Sequence, residues 1–218
     1  TGETEINTME KGQAGRIRRL DSRFISLFGE KKRRYFSTPG RTEIGGNHTD
    51  HNHGRVLAAS INLDSIAVAA PSGNSTVTLH SEGFNTPFVV DTGNTAVAGQ
   101  EKGTTSALIR GVAAGLKEKG WKTGGFDACM TSDVLPGSGL SSSASVEVLF
   151  GTVFSALFNE GQIPPQEIAK TGQYAENRYF GKPCGLMDQM ASAVGGIISI
   201  DFADPGELIV DNRGPHGD

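Results

Sequence analysis

Apolar positions recur along this chain in three textures, and each predicts a different element. In "IRRLDSRFISLFGE" the residues Ile17, Leu20, Phe24, Leu27 and Phe28 fall at the steps of one helical face, which ends at Gly29. The polar residues 1–16 ahead of it read as a loose arm. From Tyr35 onward short apolar runs are broken by glycine and polar residues: "RRYFSTPG", "RVLAASIN", "SIAVAAPSG", "STVTLHSEG" and "PFVVDTG" have the length and punctuation of strands. Helical spacing returns in "TTSALIRGVAAGLKEKG", "GGFDACMTS" reads as another strand, and "SVEVLFGTVFSALFNEG", apolar almost all round, predicts a buried helix. A helix is predicted for "EIAKTGQYAENRYFG", "KPCGLMDQMASAVGG" is mixed in pattern, and "IISIDF" reads as a final strand ahead of the strand-like "ELIVDNRGPHGD". There is no internal repeat and no low-complexity linker, so the pattern predicts one α+β domain.

Composition narrows the partners. A chain of 218 residues with 20 basic and 24 acidic side chains can bury a core but carries no global field that would draw nucleic acid or an acidic membrane. The cluster of Arg16, Arg18, Arg19, Arg23 and the run Lys31 to Arg34 reads as the solvated face of a helix and turn. Cys129 and Cys184 form no C-x-x-C pair, so neither a disulfide framework nor a structural zinc cluster is indicated. The opening residues lack a secretory pattern and no apolar run reaches membrane-spanning length. The expectation is a soluble cytoplasmic protein with no nucleic-acid and no membrane partner.

Three segments carry candidate chemistry. "LPGSGLSSSAS" places glycines and hydroxyls between a strand and a buried helix, where the unpaired N–H groups and positive end of the helix dipole favour phosphate oxygens. It lacks the Lys of a Walker A loop, the third glycine of a dinucleotide fingerprint and the spacing of a nucleophile elbow. A serine-capped helix entry with no ligand is the plain alternative. In "GRTEIGGNHTDHNHG" the residues His48, Asp50, His51 and His53 could ligate zinc, but the spacing is not that of a zinc helix and the glycines forbid one. A polar turn and a pocket for a polyhydroxylated ligand both remain open there. Glu176 and Asp188 flank a turn at Gly181, Pro183 and Gly185. Near a phosphate loop, two separated carboxylates meet the need of phosphoryl transfer for a metal ligand and for a group at the attacking hydroxyl. Taken singly, Glu176 reads as an exposed helix residue and Asp188 as a helix cap.

Together "PGRTEIGGNHTDHNHG", "LPGSGLSSSAS" and "CGLMDQ" resemble, in order and separation, the three corresponding motifs of the GHMP small-molecule kinases, and within them the galactokinases. The resemblance covers residues 17–218. It implies an α+β fold, the GHMP kinase N-terminal domain (ribosomal protein S5 domain 2-like), with a mixed sheet flanked by helices. It also implies a C-terminal GHMP domain that this chain does not include and that is expected to pack on this one, so that these residues alone are expected to be inactive. The implied activity is ATP-dependent phosphorylation of α-D-galactose at its C1 hydroxyl, giving galactose 1-phosphate and ADP. By position, Asp188 would be the catalytic aspartate and Arg41 its partner; Asn47, His48, Asp50 and Gly185 would line the galactose site. Gly137, Ser138, Gly139, Leu140, Ser141, Ser142 and Ser143 would cradle ATP, and Ser142 and Glu176 would hold Mg²⁺. The adenine would be sought around "INLDSIAVAA". The chain departs from the family at Asn47, where a glutamate is usual, and at His51 and His53, where a tyrosine and a small residue are usual. Alternatives are a kinase for N-acetylgalactosamine or another sugar, a galactokinase-like sugar sensor without turnover, and a metal-binding module resting on the histidines.

Overall fold

One long strand organises the molecule. A computed structural model describes residues 13–45, 55–133, 142–194, 197–201 and 209–212. Helix α1 (Gln13–Phe28) leads into the β1 (Arg34–Gly45) and β2 (Arg55–Pro71) pair, followed by β3 (Thr76–Ser81) and β4 (Phe88–Asp91). Then come α2 (Thr105–Glu118), β5 (Phe126–Ser132), α3 (Ser142–Phe158), α4 (Pro165–Ala175), a π turn (Glu176–Phe180), α5 (Met187–Val194), β6 (Ile197–Asp201) and β7 (Ile209–Asn212).

The sheet has seven strands in the order β4-β3-β5-β2-β6-β7, with β1 also on β2. Because β1 occupies one edge of β2 along most of its length, β5 and β6 must share the other edge end to end, β5 against residues 65–71 and β6 against 55–59. The pairing of β3 with β5 is parallel and the other pairs are antiparallel, so the sheet is mixed.

The sequence splits β2 into two runs at "NLD", whereas the structure carries one strand of 17 residues through it. Asp64 does not break the strand because its buried carboxylate is held by Arg16 of α1 and accepts a hydrogen bond from Ser37 Oγ at 2.7 Å. Beyond it the side chains alternate as a two-sided strand requires. Ile66, Val68 and Ala70 pack with Leu20 and Phe24 of α1, while Ala67 and Ala69 face the main core with Leu79, Phe126, Leu149 and Phe154. Helices therefore cover both faces. Leu27, placed by spacing on the apolar face of α1, is 45% exposed at the margin of the stripe.

Helix α3 confirms its texture: Leu149, Phe150 and Phe154 are all buried, and truncating a phenylalanine in such a core costs about 3–5 kcal/mol. The mixed segment after residue 181 forms α5, and β6 is followed by β7 and so does not close the sheet. Among the described residues no helix is long and apolar enough to cross a membrane.

Candidate active site

The start of α3 is fixed before any ligand is considered. Thr38 Oγ1 donates to the Ser145 carbonyl at 2.8 Å, the Ser145 hydroxyl donates to Ser65 Oγ at 2.9 Å, and the Ser65 and Ser132 hydroxyls are 2.8 Å apart. These hydroxyls tie the first turn of α3 to β1, β2 and β5. Three of them buried, with Ser132 half-buried, and mutually paired, they avoid the cost of unsatisfied polar atoms. Three residues after Thr38, the backbone of Arg41 pairs with Ser60 just past a register shift at Pro39. The Arg41 side chain lies outside the described residues, as do Asn47, His48, Asp50, His51 and His53, the loop residues Gly137, Ser138, Gly139, Leu140 and Ser141, and the side chain of Ser142, whose backbone opens α3.

Ser143, in the first turn, donates from Oγ to Glu176 Oε1 at 2.9 Å. Glu176 stands where α4 gives way to the π turn, and its carbonyl accepts from the N–H groups of Gly181 at 2.9 Å and Lys182 at 3.1 Å, which closes the wider turn. Gly181 ends it at φ +82°, a left-handed conformation suited to glycine. The predicted continuous helix through this segment is thus interrupted at Glu176. Glu176 is 3% exposed, against the reading of it as a surface residue. The ammonium of Lys182, itself largely exposed, lies 3.9 Å from Glu176 Oε1.

From Gly181 the chain turns back to α5, and side chains of the preceding helix set the return. Asn177 Oδ1 accepts from the Cys184 N–H at 2.7 Å, and Gln173 Nε2 donates to the Cys184 carbonyl at 3.3 Å. Half-buried Gly185 follows, and Asp188 falls in the first turn of α5. Burial, with the charge of Glu176 adding to it, holds the Cys184 thiol in its protonated form well above the usual range. Both cysteines are free thiols, as the spacing suggests.

Two residues of this cluster escaped the sequence reading. Glu147, one helical turn after Ser143, is fully buried, and burial followed by the neighbouring Glu176 charge pushes its carboxyl well above the usual carboxylate range. Gln189, next to Asp188, is also fully buried and donates from Nε2 to Glu147 Oε2 at 3.0 Å and to Glu176 Oε2 at 2.9 Å. The signal for Glu147 was present as the lone charge in "SVEVLFGTVFSALF"; Gln189 closes the "CGLMDQ" motif, whose reading gives a role to Asp188 and none to Gln189.

A cavity of about 630 Å³ opens beside Ser143. Its walls include Ser81 at the end of β3, Phe84 from the β3–β4 turn, Leu108 of α2, Thr131 of β5, and Phe180 of the π turn. The sequence directs the search for an adenine to residues 61–70; the cavity draws its walls from elsewhere. The volume falls in the range of small-molecule sites, and the mixture of apolar walls with a few polar atoms is typical of them.

Known proteins match this arrangement. The galactokinase galactose-binding signature matches residues 22–71, and the GHMP kinases N-terminal domain matches residues 107–196. Galactokinase of Clostridium tetani is 35% identical over 179 residues, covering 82% of this chain and 45% of its own length; that of Bacillus subtilis is 33% identical over 174 residues, covering 79% and 44%. The structure of Lactococcus lactis galactokinase complexed with galactose superposes with a TM-score of 0.79 at 32% identity, covering 88% of this chain and 50% of that one. Methanococcus jannaschii mevalonate kinase, at 19% identity and a TM-score of 0.68, shares the fold. The chain spans slightly under half the length of the curated relatives it matches. With the galactose signature on the β1–β2 pair and the kinase domain around α3 and α5, the chain belongs to the galactokinase family of GHMP kinases.

Proposed function

We propose that this chain supplies the N-terminal half of an ATP-dependent galactose 1-kinase of the cytoplasm, its sugar and nucleotide sites completed by a C-terminal domain that packs on it. The observation that carries the reading is the hydrogen bond of Ser143, on the wall of the cavity, to the buried Glu176. Hydroxyl and carboxylate oxygens suit Mg²⁺, which takes one or two protein carboxylates and completes its shell with phosphate and water. Glu176, with the hydroxyl of Ser142 or Ser143, would hold the ion. Once bound, Mg²⁺ would neutralise charge on the transferring phosphate.

The chain's own residues do the rest. The glycine and serine loop at 137–143 and the start of α3 cradle the phosphates, and the adenine occupies the cavity under Phe84. Asn47, His48, Asp50 and Gly185 hold the sugar so that its anomeric oxygen faces the γ-phosphorus. Asp188 accepts the hydroxyl proton or orients it, and Arg41 stabilises the negative charge on that oxygen and on the moving phosphoryl group, electrostatic work that dominates such transfers. The oxygen–phosphorus bond forms as the bond to the β-phosphate oxygen breaks, leaving ADP. Asn47 favours a second reading within the class, a kinase for N-acetylgalactosamine or another sugar, because an amide donates as well as accepts where a carboxylate only accepts.

The test is ADP release from Mg-ATP by a chain extended to the length of the relatives, offered galactose, N-acetylgalactosamine, glucose or no sugar, with Asp188→Asn alongside. Galactose-dependent release that vanishes in the variant is expected. Release with another sugar alone would move the specificity; binding of galactose and ATP without release would make the protein a sensor.

A further inference from the structure

Gln189 lies where three helical segments meet, and its amide is committed at both hydrogens. One carboxyl oxygen of Glu147 and one of Glu176 accept from the same Nε2, at 3.0 and 2.9 Å; Cys184 Sγ lies 3.6 Å from that nitrogen, a longer and weaker contact. The close approach is made possible by Gly172 of α4, where a Cβ would stand 3.1 Å from both Gln189 Cγ and Glu147 Oε2. The division of labour at Glu176 follows from which oxygens are used. Oε2 is turned inward to Gln189, while Oε1 faces Ser143 and, at 3.9 Å, the ammonium of Lys182. A carboxylate held at one oxygen only could rotate about its last bond; held at both, it presents a fixed edge.

We propose that Gln189, with Glu147 as its inner stop, is a positioning residue that locks the Glu176 carboxylate with Oε1 outward, so that the bound nucleotide's Mg²⁺ meets a ligand already oriented. The inference rests on the kinase reading above. Glu147 keeps the amide from swinging away by accepting its second hydrogen. Since Gln189 follows Asp188 directly, the same bracket sets the first turn of α5 against α3, and the metal ligand and the catalytic aspartate share one support. Partners of this kind behind a metal ligand are worth about 10- to 100-fold in metal affinity.

The measurement is ADP affinity by calorimetry, with Mg²⁺ and with EDTA, for the chain extended to the relatives' length. The ratio of the two reports what the metal adds, and a variant that merely unfolds in part lowers both affinities together. Gln189→Met, similar in shape but without donors, is expected to cut the Mg²⁺-dependent gain about 10- to 100-fold and leave binding in EDTA unchanged. Glu147→Gln, which keeps an acceptor oxygen, is expected to preserve the gain that Glu147→Leu removes. A folded Gln189→Met with the full gain overturns the proposal. So does a Glu147→Gln that loses as much as Glu147→Leu, and this second pair decides the matter if Gln189→Met does not fold. A parent chain that binds ADP equally with Mg²⁺ and EDTA overturns the kinase reading, and the bracket with it.

Discussion

Two buried polar clusters hang from the same helix, and they are built on opposite terms. Around Ser145, the hydroxyls of Thr38, Ser65, Ser132 and Ser145 are joined in one chain of hydrogen bonds, with no charge among them. Two residues further on, Glu147 begins a cluster of two carboxyl groups and an amide in which Glu147 Oε1 and Gln189 Oε1 are buried without a hydrogen-bond partner among the described residues. A satisfied neutral network rigidifies at little electrostatic cost, while a partly satisfied one around a buried carboxylate weighs against stability. The first cluster is scaffold. In the kinase reading proposed above, the second holds groups whose worth would appear when phosphate and cation arrive.

The comparison breaks most decisively if substitutions on the two sides have the same phenotype. Among the charged residues of the proposed kinase site, Asp188→Asn and Arg41→Ala in the extended chain are each expected to lower turnover at least about a hundredfold, with the melting temperature little changed. Steady-state kinetics beside thermal unfolding checks both halves of that statement. On the neutral side the signs reverse: Ser145→Ala leaves Ser65 and the Thr38 carbonyl short of a donor and is expected to cost about 1–3 kcal/mol, read by denaturant unfolding, with turnover per folded molecule nearly intact. Loss of turnover without loss of stability at Ser145 would make the hydroxyls part of the chemistry.

Two smaller effects sharpen the boundary of the site. Phe84 is 54% exposed, and its ring packs edge-on against Phe88 at 5.1 Å on the rim of the cavity. Phe84→Ala is expected to raise the KM for ATP about three- to tenfold, the worth of one aromatic contact, and to leave the KM for the sugar alone. His80 belongs to neither cluster. Burial, aided by the charge of Arg23, lowers its pKa, so the folded state binds its proton less readily than the unfolded chain. Its contribution to stability is full above the ordinary value of about 6.5 and declines as the pH falls below it. His80→Phe should therefore flatten the loss of stability between about pH 7 and pH 5, seen in unfolding curves at the two pH values.

Sequence pattern made the fold legible where burial is periodic or complete. The face of α1 and the apolar body of α3 are both visible because the hydrophobic effect writes them in side-chain spacing. It failed where a polar residue is buried with a partner far along the chain. Asp64 looked like the end of a strand because Arg16 and Ser37, which accommodate it, are distant in sequence. Glu147 vanished into an apolar helix for the same reason, since its partner comes from α5. The site motifs themselves were readable as types of residue, but which serine faces Glu176 was not. Ser143 makes the contact, and only the winding of α3 decides that.

The π turn at Glu176–Phe180 also bears on how such a chain can change over generations. Each residue of an ordinary helix advances the chain by about 100° around its axis, so removing one residue there would swing everything beyond it by that angle. Gly181, the Cys184 return and Asp188 would be delivered to the wrong side of α3. Substitutions along this stretch can be tried one at a time. Insertions and deletions cannot, and the interval from Glu176 to Asp188 is expected to stay constant in length among sequences that keep the activity while its exposed letters drift.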